Sequence, residues 1–238
     1  MNAKWRVTGQ DAVTADGERL ARALKHGEYS EIEVFKNDRQ TYSALIRLDA
    51  QLYVIKIPKE RNNRLWQRFL SLFRASEAVR YYRSMVRLRD LGFHAPEPVV
   101  ALEKRWLGVV VDSCLIYRYR NGRKATSEDA ALVLPNLLAL HKTGYLRNDP
   151  HAKNYLIDHD SVVFIDFRLK RPVLLRRFRL YRELAQFLRT SPLAWDLLPG
   201  EISHSLLLRL AVGLDEVFRS VRHARRRLRS RFRVNSEG

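Results

Sequence analysis

Residues 145–167 read YLRNDPHAKNYLIDHDSVVFIDF, and this stretch decides the fold. Asp149 and Asn154 lie five positions apart in one polar loop, and Asp166 stands 17 positions after Asp149. The residues just before Asp166, over 162–165, form an apolar run that is typical of a short buried β-strand. The stretch therefore combines a polar loop with a carboxylate that directly follows a rigid, apolar element.

This spacing meets the requirements of phosphoryl transfer to a hydroxyl group. A carboxylate has to orient the attacking hydroxyl and accept its proton, while an amide oxygen and a second carboxylate hold Mg²⁺ against the phosphates. We therefore predict that Asp149 is the catalytic base and that Asn154 and Asp166 are the Mg²⁺ ligands. A polar turn with a capping aspartate is the alternative, but such a turn does not require an apolar strand at this separation.

The segments on the two sides of Asn121–Gly122 differ in their periodicity. Upstream, the sequence predicts strands at 31–36, 41–49 and 51–58, two more between 98 and 119, and helices at 16–26, 61–74 and 76–90. Downstream, it predicts helices at 128–142, 174–190 and 201–229. The predicted fold is therefore α+β and bilobal, with a strand-rich N-terminal lobe over 1–120 and a helical C-terminal lobe over 121–238.

The strand-rich lobe contains a lysine that suits a nucleotide site. Lys56 lies in the apolar strand pattern QLYVIKIP, where an unpaired ammonium group would be costly to bury. We predict that Lys56 holds the α- and β-phosphates of ATP and that Glu77, in a following helix, is its ion-pair partner. The alternative is that Lys56 faces solvent and that Glu77 pairs with one of the neighbouring arginines.

The chain is strongly basic. It has 44 Lys and Arg against 26 Asp and Glu, a formal net charge of +18, and most of the excess lies from Arg168 onward. Such a balance favours an anionic partner, such as a nucleotide, a nucleic acid or an anionic membrane surface. No secretory signal or membrane-spanning run is visible, and the single cysteine, Cys114, allows no intramolecular disulfide. We therefore expect a cytosolic or peripheral protein.

Three runs together resemble one known family. YVIKIPKERNNRLWQRFLSLFRASEA, LEKRWLGVVVDSCLIYRYRNG and the loop with its following strand are similar to the lipopolysaccharide core heptose kinases, specifically the heptose(II) kinases, over most of 30–170. The resemblance implies a protein-kinase-like fold, the cofactors ATP and Mg²⁺, and phosphorylation of a heptose hydroxyl in the inner core. It also implies a cytoplasmic enzyme, peripheral at the inner face of the inner membrane. Its partners would be the lipopolysaccharide core oligosaccharide and an anionic membrane surface.

Carried over by position, the resemblance implies a role for each matching residue. Lys56 would contact phosphate, Asp149 would be the base, and Asn154 with Asp166 would bind the metal ion. The hinge beside adenine would span 116–119, with contacts from Ile116, Tyr117 and Tyr119.

Three positions depart from the wider kinase pattern. The turn at 36–40, KNDRQ, has no glycine, so we do not expect its backbone to approach phosphate as closely as usual. Arg168 stands two positions after Asp166, where kinases usually have glycine, and Arg147-Asn148-Asp149 replaces the usual His-Arg-Asp. These departures argue against an activation switch driven by phosphorylation more than against catalysis.

Two other functions fit part of the sequence. A small-molecule kinase of the aminoglycoside-phosphotransferase type would have the same catalytic pattern, but such sites usually bind cationic substrates with acidic clusters, whereas the last third of this chain is basic. A non-enzymatic nucleic-acid-binding protein would explain the tail HARRRLRSRFR. A binding protein, however, has no use for a base and two metal ligands at this spacing, so we expect no nucleic acid partner.

Two basic segments are candidates for contact with an anionic bilayer. Residues 61–74 alternate aromatic or leucine side chains with arginines, a composition that suits an interfacial helix. Eight arginines lie from Arg219 to Arg233, and each basic residue near an anionic surface contributes on the order of 1 kcal/mol. In the predicted catalytic loop, His151 either orients the loop or touches the substrate, and the sequence leaves both roles open.

Overall fold

The computed structural model describes residues 4–9, 15–59 and 71–234. Its contacts divide the chain into two units: the first extends to Gly122 and includes Val163–Arg168, and the second comprises Arg123–Val162 and the chain from Leu169 onward. The short segment that carries Asp166 thus groups with the strand-rich unit, although the predicted division at residue 120 placed it in the helical lobe. The division into lobes stays a prediction.

The described part of the first unit is built on a six-stranded sheet with the order β1-β5-β6-β4-β3-β2. The strands are β1 (Lys4–Thr8), β2 (Ser30–Asn37), β3 (Tyr42–Leu48), β4 (Gln51–Ile57), β5 (Pro98–Trp106) and β6 (Val109–Arg118). Neighbouring strands are antiparallel. The three strands predicted at 31–36, 41–49 and 51–58 are confirmed as β2, β3 and β4, whereas the edge strand β1 was not predicted.

The first unit also contains the helices α1 (Ala15–His26) and α2 (Glu77–Asp90), whose ends the sequence explains. Gly27, with φ +70°, follows α1 in a left-handed conformation that glycine adopts without strain. Ser76 caps α2, because its Oγ accepts a hydrogen bond of 3.2 Å from the Val79 amide. Both helices agree with the predicted ones to within one residue.

The core of the first unit lies against one face of its sheet. Alternate residues of β4 and β6, such as Ile55 and Ile116, are buried there, and burying an aliphatic side chain of this size stabilises the fold by about 1.5–3 kcal/mol. Because successive strand residues face opposite sides, Lys56 faces away from Ile55. Its Nζ lies 4.8 Å from the centroid of the Tyr81 ring on α2. The sheet therefore separates Lys56 from the apolar core.

The second unit is mainly helical in its described part. Its helices are α3 (Ala130–Thr143), α4 (Arg176–Thr190), α5 (Gly200–Ser203) and α6 (Leu206–Val234). The short strands β7 (Arg123–Lys124), β8 (Tyr155–Asp158) and β9 (Ser161–Phe164) pair in that order, and the last two residues of β9 are counted with the first unit. The prediction of one helix over 201–229 is wrong: α5 ends at Ser203, and Ser205, a residue type that favours helix starts, directly precedes α6.

Helices α4 and α6 pack against each other and supply much of the core of the second unit. The buried faces contribute Leu184, Phe187, Leu188, Leu208 and Ala211. An ion pair between Arg189 and the buried Asp215 joins the same two helices. None of the described helices is both long and apolar enough to cross a membrane.

Candidate active site

The loop that carries Asp149 is closed on itself by hydrogen bonds. The buried Arg147 guanidinium donates from Nη2 to the Asn154 carbonyl at 3.1 Å and lies 4.1 Å from the centroid of the Tyr155 ring. Asn154 Nδ2 donates to the Asp149 carbonyl at 3.2 Å. The structure thus brings the predicted base and one predicted metal ligand together in a single braced loop.

A buried glutamate that the sequence analysis missed fixes the start of this loop. Glu183 lies on α4, and its carboxylate accepts hydrogen bonds from the amides of Arg147 at 3.1 Å and Asn148 at 2.5 Å. His141 Nε2, on α3, lies 2.9 Å from the same carboxylate. Hydrogen bonds to an ionised acceptor are among the strong ones in proteins. Glu183 therefore positions the backbone immediately before Asp149.

One signal could have identified Glu183 from the sequence. It lies one position before Leu184 and four before Phe187, which puts it on the apolar side of the helix predicted at 174–190. The structure buries it to 4% exposure. A glutamate is almost never buried to this degree without partners. The sequence could therefore have indicated that this carboxylate has a structural task, but it could not have named the two amides.

Two residues at the predicted site, one directly before Asp149 and the other a predicted metal ligand, adopt left-handed backbone conformations. Asn148 has φ +71° and Asp166 has φ +50°. Asn and Asp tolerate this region better than most residues, and such conformations cluster at functional sites, where the surrounding structure enforces them. Asp149 is exposed, and the Asp166 side chain retains 53% exposure, so both carboxylates can be reached from solvent.

Lys56 forms an ion pair with Asp166 in the first unit. Burial alone would lower the pKa of the Lys56 ammonium, but the Asp166 carboxylate and the neighbouring Tyr81 and Tyr117 outweigh this effect, and the pKa is raised above its usual value. The structure therefore keeps a cation, largely shielded from solvent, beside an exposed carboxylate.

The structure gives Glu77 a different partner from the predicted one. Arg168 Nη2 donates to Glu77 Oε1 at 2.6 Å, whereas Lys56 pairs with Asp166. The physical reason is the arginine that stands where kinases usually have glycine. Its guanidinium lies 5.6 Å from the centroid of the Tyr81 ring and reaches the first turn of α2.

A buried ion pair anchors this first turn of α2 to the sheet. Glu103, on β5, accepts hydrogen bonds from the Ser76 amide at 3.0 Å and from Arg105 Nε at 2.7 Å. Burial alone would raise the pKa of Glu103, but Arg105 and Ser76 together lower it below its usual value. The ionised carboxylate thus holds the residue that directly precedes Glu77.

The predicted hinge lies at the end of β6 and just beyond it. Ile116 is fully buried between β4 and β5, and Tyr117 and Tyr119 are partly exposed. Burial raises the pKa of Tyr117 above its usual value. The Tyr119 amide donates to the Leu52 carbonyl at 3.0 Å. An adenine at this segment would therefore have to bind other main-chain groups or displace that bond.

The turn between β2 and β3 is closed by its own aspartate. Asp38 Oδ1 accepts hydrogen bonds from the amides of Gln40 at 2.8 Å and Thr41 at 2.7 Å. Because these hydrogen bonds favour the ionised form, the pKa of Asp38 is lowered. The two amides are already engaged, which agrees with the expectation that this glycine-free turn does not wrap a phosphate in the usual way.

His151 lies partly buried in the loop that follows Asp149. Burial lowers the pKa of His151, and the charge of the nearby Lys153 lowers it further. Its Nδ1 has no hydrogen-bond partner among the described residues. These effects favour the neutral imidazole in this loop.

The donor atoms at the predicted metal positions are of the kind that Mg²⁺ prefers. Asp166 offers an exposed carboxylate. Because Asn154 donates through Nδ2 to a main-chain carbonyl, its Oδ1 is the polar atom left to accept or to ligate. Mg²⁺ binds oxygen ligands and is usually held by one or two carboxylates together with waters and phosphates. Each residue, within its own unit, fits this role.

These features define a class before they define a family. An antiparallel sheet with a lysine on a central strand, followed by helices and a braced D-x-x-x-x-N loop, is the architecture of protein-kinase-like phosphotransferases. The chain belongs to the lipopolysaccharide core biosynthesis protein (WaaY) family, which matches residues 19–188.

A curated relative and two solved structures are similar to this chain. It is 28% identical over 149 residues to the lipopolysaccharide core heptose(II) kinase WaaY of Escherichia coli (strain K12). That match covers 59% of this chain and 63% of the relative, which is less than two thirds of the relative's length.

Both solved structures share the fold at low identity. WaaP in complex with acyl carrier protein matches with a TM-score of 0.53 and 15% identity, covering 90% of this chain and 92% of that one. A thermostable mutant of aminoglycoside phosphotransferase APH(4)-Ia, in a ternary complex with ADP and hygromycin B, matches with a TM-score of 0.54 and 11% identity, covering 87% and 92%. At these identities the likeness shows the kinase-like fold alone.

Proposed function

We propose that this protein transfers the γ-phosphate of ATP to a hydroxyl group of a heptose in the lipopolysaccharide inner core. Membership of the WaaY family and the named activity of the heptose(II) kinase relative support the substrate class. The observation that carries the chemistry is the braced loop, in which Asp149 is exposed and hydrogen-bonded through its main chain to Asn154. A fixed, exposed carboxylate is what a hydroxyl nucleophile requires.

Each proposed site residue has a distinct task. Asp149 accepts a hydrogen bond from the acceptor hydroxyl, aims its oxygen at the phosphorus, and takes the proton as the new bond forms. Lys56 holds phosphate oxygens of the nucleotide. Asn154 and Asp166 would hold Mg²⁺, which supplies charge neutralisation and orientation of the phosphates when it is bound.

The remaining proposed residues either contact the nucleotide or position the first turn of α2. Ile116, Tyr117 and Tyr119 are proposed to lie beside adenine. Glu77 is proposed to act indirectly, because its hydrogen bond with Arg168 ties the first turn of α2 to the segment that carries Asp166. Its contribution is therefore to the position of Asp166 rather than to direct contact with phosphate.

We place the protein in the cytoplasm, peripheral at the inner face of the inner membrane, because a lipid-anchored acceptor has to be met at a bilayer surface. The net charge of +18 supports an anionic acceptor and an anionic lipid surface. Most of the predicted interfacial helix, residues 61–70, lies outside the described residues. The tail from Arg219 to Arg233 belongs to α6, and its attraction to anionic lipid stays a prediction.

Phosphate transfer to purified core oligosaccharide tests the proposal. The protein should add one phosphate in the presence of ATP and Mg²⁺, read by mass spectrometry. Asp149→Asn should lower turnover by roughly 10² or more while nucleotide binding is retained, because only the positioned base is lost. Asp160→Asn, an exposed aspartate in the turn between β8 and β9, is the matched control and should turn over normally. Normal turnover of the Asp149 variant would remove this residue from the mechanism.

A further inference from the structure

The turn that leads into α4 presents three consecutive apolar side chains to solvent. Val173, Leu174 and Leu175 are 91%, 73% and 73% exposed. Single exposed leucines are common on protein surfaces, but a contiguous exposed apolar group often marks an interaction site. We call residues 173–175 the apolar tip.

The apolar tip stands on a fixed base. Lys170 and Leu146 exchange two main-chain hydrogen bonds of 2.8 and 2.9 Å, and Pro172, directly before the tip, is buried. Leu175 has φ +51°, a left-handed conformation that residues with a branched side chain rarely adopt. Leu175 is nevertheless held in place at the start of α4, because its carbonyl accepts a hydrogen bond of 2.9 Å from the Arg179 amide.

Basic side chains surround the apolar tip. Residues 170–179 contain five basic residues and no acidic one. The four arginines, Arg171, Arg176, Arg177 and Arg179, are all exposed. A short apolar group flanked by guanidinium groups complements the headgroup region of an anionic bilayer: the apolar side chains enter the acyl boundary while the arginines meet lipid phosphates.

We propose that the apolar tip and its flanking arginines dock this protein onto an anionic lipid bilayer. The proposed docking surface differs from segment 61–74 and from the arginine-rich tail, and it lies wholly within the described second unit. Its use in catalysis rests on the proposed function, because only a lipid-anchored acceptor makes this docking productive.

The apolar tip lies a short distance along the backbone from the loop that carries Asp149. Leu146 lies three residues before Asp149, and its partner Lys170 lies three residues before Val173. Three extended residues span about 10 Å, so the tip and the proposed base lie within roughly 30 Å of each other. Docking therefore holds the loop that carries Asp149 within roughly 30 Å of the docked tip.

Co-sedimentation of the full chain with lipid vesicles tests the docking. The protein should bind vesicles that contain anionic phosphatidylglycerol more tightly than vesicles of phosphatidylcholine alone, and binding should weaken as salt rises. The triple variant Val173→Ser, Leu174→Ser and Leu175→Ser should lower the partition coefficient at least about tenfold, because three apolar side chains no longer enter the bilayer.

The matched control removes three other exposed apolar side chains from the same unit: Leu206→Ser, Leu210→Ser and Leu214→Ser on α6. It should bind vesicles like the unmodified protein. If the tip variant binds normally, or if the control loses as much binding as the tip variant, the assignment to the tip is overturned. A Leu174→Trp variant gives an independent measurement, since its added fluorescence should shift to the blue on anionic vesicles; an unshifted spectrum would also overturn the proposal.

Other occupants of the tip have their own signatures. If the tip instead binds a second copy of the chain, the unmodified protein will sediment as a dimer and will not bind vesicles, and the tip variant will sediment as a monomer. That result overturns the proposal.

Kinase assays separate docking from catalysis: the tip variant should phosphorylate water-soluble core oligosaccharide normally but lose activity on acceptor embedded in vesicles. If no acceptor is phosphorylated at all, the proposed function fails while the vesicle result still decides the docking.

Discussion

Replacing Glu183 with Gln probes how the catalytic loop is held. The carboxylate of Glu183 is 4–5% exposed and accepts hydrogen bonds from the amides of Arg147 and Asn148, with His141 Nε2 at 2.9 Å. Glutamine has almost the same volume, so it leaves no cavity. It offers only one acceptor oxygen, however, and its NH₂ group would face an N–H donor.

The expected magnitude follows from these contacts. A hydrogen bond to a charged group contributes about 1.5–3 kcal/mol, and a buried donor without an acceptor costs about 1–3 kcal/mol. Glu183→Gln removes the charge and leaves one main-chain amide without an acceptor, so we expect a loss of about 2–4 kcal/mol in the free energy of unfolding. For a chain of this size, that loss lowers Tm by about 5–15 °C.

The consequence for catalysis is separable from the loss of stability. Well below its Tm, the variant should show kcat lowered by roughly 10²-fold, because a small displacement of Asp149 spoils its alignment with the hydroxyl. Its KM for ATP should stay unchanged. Urea unfolding and steady-state kinetics measure the two effects, and Glu216→Gln, an exposed glutamate on α6, is the control, with a change within about 0.5 kcal/mol. An unfolding free energy within about 1 kcal/mol of the unmodified protein, together with normal kcat, would refute the positioning role.

Three further predictions follow from other contacts. Asp166→Ala should abolish the Mg²⁺-dependent thermal shift with ATP and Lys56→Met should weaken it, and a normal shift in both variants contradicts the assigned nucleotide site. The Arg123 guanidinium outweighs the opposing effect of burial and lowers the pKa of Asp129 to about 2. This pair therefore stabilises the fold above about pH 4, and its contribution is lost as pH falls towards 2. The unfolding free energy of Asp129→Asn, measured over this range, should lack that part of the pH dependence; the same pH profile as the unmodified protein contradicts this assignment. Gly144→Ala should destabilise the protein by at least about 1 kcal/mol, because Gly144 has φ +84°, and equal stability in urea would show that the turn tolerates a side chain.

The elements that the sequence predicted well are those that local chemistry decides. Gly27 ends α1 and Ser76 begins α2 through interactions that span only a few residues. The α+β class followed from the change of periodicity near Gly122, whereas the kinase-like fold was implied by the resemblance to the heptose kinases. The single helix predicted over 201–229 was wrong, because an apolar periodicity continues through two successive helices and does not register the one break between them.

At the candidate site, too, some residues could be predicted from local sequence and others could not. Asp149, Asn154 and Asp166 could be singled out from the sequence, because a loop and its following strand supply them at short, fixed separations. The partner of Glu77 could not, since Arg168 lies 91 positions away and competes with other basic residues for the same carboxylate. His141 and Glu183, 42 positions apart, were missed for the same reason.

The amino-acid sequence by itself determined the fold class, most element boundaries, the strong positive charge and the polar residues of the loop that carries Asp149. These depend on backbone preferences and on periodicity, which act between residues that are close in the chain. Only the tertiary structure decided that Lys56 pairs with Asp166, that Glu183 holds the backbone before Asp149, and that residues 173–175 stay exposed on a fixed turn. Such choices depend on which groups, distant in the chain, approach each other and which stay exposed to solvent. The linear pattern of residue types specifies neither.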